Sequence, residues 1–74
     1  MDLSDVAKIW LKAAAVAYPD AVTIAPKTKL ETVALLELRE RDLIEQYDMW
    51  PNGDRRWLIT PAGKKATALW QGQS

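Results

Sequence analysis

Leu43-Ile44-Glu45-Gln46-Tyr47-Asp48-Met49-Trp50-Pro51-Asn52-Gly53-Asp54-Arg55-Arg56-Trp57-Leu58-Ile59-Thr60 decides the fold, because Asn-Gly between two apolar runs is the strongest short-range signal for a β-hairpin. With Asn52 and Gly53 as the central turn residues, the expected pairs are Trp50 with Arg55, Met49 with Arg56, Asp48 with Trp57, Tyr47 with Leu58 and Gln46 with Ile59. Alternation then puts Tyr47, Met49 and Leu58 on one face and Ile44, Trp57 and Ile59 on the other. At the tip Trp50 is expected to stack under Arg55.

Upstream, Thr28-Lys29-Leu30-Glu31 has the form of a capping box, in which the Thr28 hydroxyl accepts from the amide of residue 31 and Glu31 reaches back. The helix it starts is expected to run to about Arg41, with Asp42 at a sharp turn in left-handed geometry. Ser4 caps an earlier helix whose apolar residues (Val6, Ala7, Trp10, Leu11, Ala14, Ala17, Tyr18) recur at helical spacing, with Asp5, Lys8 and Lys12 on its wet side. Pro19-Asp20 ends it, and Ala21 to Ala25 is short and β-branched, so a brief strand or extended linker is expected there and no helix over residues 19–28. After the hairpin, Thr60-Pro61 gives an N-cap with proline at the first helical position. Ala62, Ala66, Leu69 and Trp70 are expected to form the inward side of this last helix, with Gln71 to Ser74 fraying. The whole is a single α+β domain over residues 1–74.

A chain of 74 residues buries only about 60% of the surface its unfolded form exposes, so its core must be small. It has no cysteine and no histidine, which removes disulfides and the usual zinc ligands; no metal and no cofactor are expected. Net charge is zero, yet residues 46–74 set Arg55, Arg56, Lys64 and Lys65 against only Asp48 and Asp54, so positive charge gathers near the hairpin and the last helix. The start, Met1 to Asp5, lacks the basic residues of a signal peptide, and Lys8 and Lys12 interrupt the apolar stretch after it. A cytoplasmic protein without a membrane span is expected. Catalysis is not expected: there is no histidine or cysteine to act as base or nucleophile, no Gly-rich phosphate loop, and the carboxylates converge on no motif.

The run Leu35-Leu36-Glu37-Leu38-Arg39-Glu40-Arg41-Asp42-Leu43-Ile44-Glu45 resembles the end of the recognition helix and the start of the wing in MarR-like and PadR-like winged helix-turn-helix regulators. Arg55-Arg56-Trp57-Leu58-Ile59-Thr60-Pro61-Ala62-Gly63-Lys64 resembles their wing exit. Asp42 stands where that pattern has glycine, and between Tyr18 and Thr28 there is no room for the helix that normally precedes the recognition helix. The resemblance implies a small winged-helix-like domain ordered helix, short strand, helix, β-hairpin wing and C-terminal helix.

It also implies a DNA-binding transcriptional regulator, with double-stranded DNA met by Lys27, Lys29 and Thr32 at the helix start and by Asn52, Arg55 and Arg56 at the wing. Capping and solvation are the plain alternative for each of these residues. A second reading comes from the middle helix itself. Leu30, Ala34, Leu35 and Leu38 form one stripe, and Lys29, Thr32, Val33, Leu36, Arg39 and Glu40 lie across the other side. Val33, Leu36 and Arg39 then suit a protein partner, as in a small accessory or phage-type factor engaging a host complex, unless the Ala21–Ala25 segment or a dimer mate covers the two apolar residues. The resemblance further implies a homodimer built by the flanking helices; Trp10 is expected in the core, whereas Trp70, near the chain end, is the better intermolecular contact.

Overall fold

The computed structural model describes residues 3–72. The chain forms α1 (Asp5–Ala17), β1 (Val22–Ile24), α2 (Lys29–Glu40), β2 (Ile44–Met49), β3 (Arg55–Ile59) and α3 (Pro61–Gly72). The three strands make one antiparallel sheet in the order β1-β3-β2. This is a winged-helix-like arrangement in which α1 passes through a turn and a three-residue strand directly into α2, with no helix over residues 19–28. Residues 73 and 74, at the end of the segment expected to fray, lie outside the described residues; Gln71 and Gly72 belong to α3.

Each helix starts where side-chain chemistry satisfies its free amides. Ser4 Oγ accepts from Ala7 N, while Ser4 N donates to Glu37 Oε2 at 3.0 Å, so the cap of α1 is also tied to α2. The capping box is complete at Thr28 and Glu31. α2 ends in a Schellman motif: Leu43 N donates to Leu38 O and Asp42 N to Arg39 O, both at 3.0 Å, around Asp42 at φ 57°. Thr60 Oγ1 accepts from Gly63 N at 3.1 Å ahead of Pro61.

The hairpin departs from the expected register. Gly53 N donates to Trp50 O at 2.9 Å and Trp50 N donates to Asp54 O at 2.7 Å, so the loop has three residues, Pro51-Asn52-Gly53. Proline's fixed φ suits the first corner of a turn closed at Trp50, and Gly53 takes the left-handed position at φ 98°. Met49 therefore pairs with Arg55 and Asp48 with Arg56. A bulge between Gln46 and Asp48 then leaves Tyr47 as an extra residue, after which Gln46 pairs with Trp57, Glu45 with Leu58 and Ile44 with Ile59. The inward set of Ile44, Trp57 and Ile59 is unaffected, and all three are buried. Met49, paired with Arg55, lies on the Trp57 side of the sheet rather than with Leu58, and Trp50 stacks on Arg56 rather than Arg55.

The core comprises Leu3, Ala7, Leu11, Ala14, Ile24, Ala34, Leu38, Ile44, Trp57 and Ile59, with Trp10 and Trp70 packed partly buried against it. Two helices bury a different face from the one their spacing predicts. On α2, Ala34 and Leu38 are buried and Leu35 is half-buried, but Leu30 is exposed. Each i, i+4 step turns a helical row by about 40°, which carries Leu30 roughly 80° away from Leu38. On α3, over residues 61–70, Gly63 and Thr67 are buried and Ala66 and Trp70 half-buried, while Ala62 and Leu69 face outward. Gly63 lets the helix close onto the Leu43 carbonyl, and the buried Thr67 hydroxyl donates to Lys64 O at 2.9 Å.

Candidate nucleic-acid interface

The outward face of α2 is set by the way its carboxylates are used. Glu31 accepts from the amides of Lys27 and Thr28, and Glu37 accepts from Ser4 N; both side chains are half-buried. Lys27, Lys29, Thr32 and Arg39 are exposed, and the exposed acid on this helix is Glu40. A neutral chain thus presents cations along one helix by using two of its three acids, Glu31 and Glu37, in helix caps. The Thr32 hydroxyl donates to Thr28 O at 3.0 Å and retains its acceptor lone pairs.

Val33 and Leu36 are 45% and 43% exposed, so β1 does not cover them and they lie among the cations as open apolar surface.

The wing lies beside this helix. A shallow groove is lined by Ile24, Ala25 and Pro26 leading into α2, by Leu35 of α2, and by Gly53, Asp54, Arg55 and Trp57 of the hairpin. Arg55 is exposed on the groove side and has no carboxylate partner among the described residues. Arg39 holds its guanidinium 5.6 Å from the centroid of the Trp57 ring, a cation–π distance that ties α2 to β3. The indole Nε1 of Trp57 is buried without a hydrogen-bond partner among the described residues.

Arg56 points to the other side of the sheet. It forms a 2.8 Å ion pair with Asp48 Oδ2, and its guanidinium lies 5.4 Å from the Tyr47 centroid and 5.3 Å from that of Trp50. Trp50 Nε1 in turn donates to Thr23 Oγ1 on β1 at 2.8 Å, so the cluster spans all three strands. Asn52 serves the turn: its Oδ1 accepts from Asp54 N at 3.0 Å and its Nδ2 donates to Asp54 Oδ2 at 3.2 Å. The Arg56 cluster is absent from the expected register because the three-residue loop is what sets Asp48 opposite Arg56, and the bulge then adds Tyr47 beside it. The Trp50-Pro51 dipeptide, with proline favoured at the first corner of a turn, is the signal that could have revealed the longer loop.

Among the described residues no group of three or more His, Cys, Asp or Glu residues is placed to hold a metal ion, and no helix is long and apolar enough to cross a membrane. No family model matches the chain, and no curated protein or solved structure shows a significant match to it.

Proposed function

We propose that this domain is a small, non-enzymatic regulator that binds double-stranded DNA, offering α2 to the major groove and the wing to the adjacent backbone. The carrying observation is the sorting of charge along α2 and its entry: Glu31 and Glu37 are hydrogen-bonded to helix-start amides while Lys27, Lys29 and Arg39 face out with Glu40 as the exposed acid, beside a groove whose far wall carries Arg55. If these four cations each neutralise a phosphate, log affinity falls with log salt at a slope of about −3.6, or roughly a hundredfold between 50 and 200 mM salt. Fluorescence anisotropy with a labelled duplex at the two salt concentrations tests this. Steep loss with salt, and weaker binding by Lys29→Ala plus Arg55→Ala, support it; absence of binding at low salt overturns it.

The exposure of Val33 and Leu36 favours a second reading, a winged-helix-like module whose α2 docks on another protein. A folded Val33→Ser, Leu36→Ser variant that keeps every partner of the parent chain would remove that reading. Exposed Ile9 and Val16 on α1 and Leu69 on α3 support a homodimer through the flanking helices, which sedimentation equilibrium reads directly.

A further inference from the structure

We propose that the adjacent arginines of β3 divide the wing's work: Arg55 contacts the DNA, and Arg56 is a positioning residue that holds the wing in shape without touching it. The inference rests on the DNA-binding reading above and names the role of each cation within it. Successive residues of a strand point to opposite faces, so Arg55 shares the groove side with Trp57 while Arg56 lies on the reverse. The Arg56 side chain is only 24% exposed, lies near two aromatic rings and is paired with Asp48. With Nη1 on Asp48 and its flat faces near Tyr47 and Trp50, the Arg56 guanidinium is anchored at the wing and its charge is offset there by the Asp48 carboxylate. Its partners come from β2 and the loop edge, and Trp50 extends the cluster to Thr23 on β1, so Arg56 fixes the two wing strands and their tip against the rest of the sheet.

Duplex titrations over a series of salt concentrations separate the two roles, with circular dichroism confirming that each variant is folded. Arg55→Ala should weaken binding about tenfold at low salt and reduce the salt slope by about one phosphate. Arg56→Ala should weaken binding about three- to tenfold with the slope unchanged, because no phosphate contact is lost. Asp48→Ala gives the opposed sign. It removes a negative charge from a DNA-binding protein and frees Arg56, so a direct contact by Arg56 predicts tighter binding, whereas the positioning role predicts binding weakened as by Arg56→Ala. A slope reduced by one in Arg56→Ala, or tighter binding by Asp48→Ala, overturns the division while leaving the DNA reading intact. No wild-type binding at low salt removes both. Should Arg56→Ala fail to fold, Asp48→Ala and the NMR relaxation of the Arg56 Nε–H in the parent chain carry the test; an Arg56 side chain as mobile as that of Arg55 overturns the inference without any DNA present.

Discussion

Gly63, the third residue of α3, packs so closely on Leu43 that a Cβ added to it would overlap the Leu43 carbonyl oxygen and stand 2.6 Å from Ile59 Cγ1. That carbonyl is fixed, since it accepts from Thr60 N at 3.0 Å, and Thr60 Oγ1 donates to Asp42 O at 2.6 Å. The corner between α2 and β2 is thus bonded to the start of α3 through backbone that has little freedom to yield. Gly63→Ala is expected to lower stability by about 1–3 kcal/mol in urea unfolding, although alanine is the better helix former by about 1 kcal/mol. Equal or higher stability would mean that the corner moves more freely than its hydrogen bonds imply.

Asp42 holds a left-handed φ of 57° at the end of α2, a position where glycine has no Cβ penalty. Its side chain makes no hydrogen bond among the described residues, although its backbone serves both the Schellman motif and Thr60. Asp42→Gly should therefore stabilise the domain by roughly 0.5–1 kcal/mol, the relief of strain being partly offset by the greater freedom of glycine in the unfolded chain. Asp42→Val should destabilise it, because a β-branched residue fits this geometry worst. Thermal unfolding of the two variants beside the parent gives the order.

Local chemistry made most of this fold legible. The caps at Ser4, Thr28 with Glu31, and Thr60-Pro61, and the left-handed turn at Asp42, are made between near neighbours in the chain, and each follows from residue type and spacing. The hairpin was legible as a hairpin but not in register, because Pro51 chooses the loop length and the bulge at Tyr47 answers to the packing of three strands. Leu30 faces out because the i, i+4 row drifts about 80° between Leu38 and Leu30, and Leu69 is likewise exposed although its helical spacing suited the inward side. At the candidate interface the sequence supplied the exposed cations Lys27, Lys29 and Arg55. It could not distinguish Arg56 from its neighbour, since the difference lies in which face of the sheet carries Asp48, Tyr47 and Trp50.

The capping box on α2 provides a graded test of how firmly that helix is started. Thr28 Oγ1 accepts from Glu31 N at 3.1 Å, and Glu31 Oε1 accepts from Lys27 N at 3.0 Å and Thr28 N at 3.2 Å. Thr28→Ala should cost about 1 kcal/mol. Glu31→Ala should destabilise more than Glu31→Gln, because the amide oxygen of glutamine still accepts from the same donors while its charge is lost. Since both residues serve one network, the double alanine variant should lose less than the sum of the single losses. Strict additivity in chemical denaturation would show that the two halves of the box act independently.

Trp57 offers a case in which two opposing terms meet in one side chain. It is 2% exposed, fills the centre of the sheet's inner face, and carries the guanidinium of Arg39 over its ring, yet its Nε1 donor has no partner among the described residues. Trp57→Ala removes the packing as well as the ring under Arg39 and should cost about 3–5 kcal/mol. Trp57→Phe leaves a smaller cavity and keeps a π face for Arg39, and it also deletes a buried donor whose unsatisfied state costs about 1–3 kcal/mol. These terms act in opposite directions, so the phenylalanine variant should lose no more than about 1 kcal/mol on the same scale. A loss for Trp57→Phe approaching that of Trp57→Ala in equilibrium unfolding would show that the indole N–H contributes to stability and is satisfied in solution.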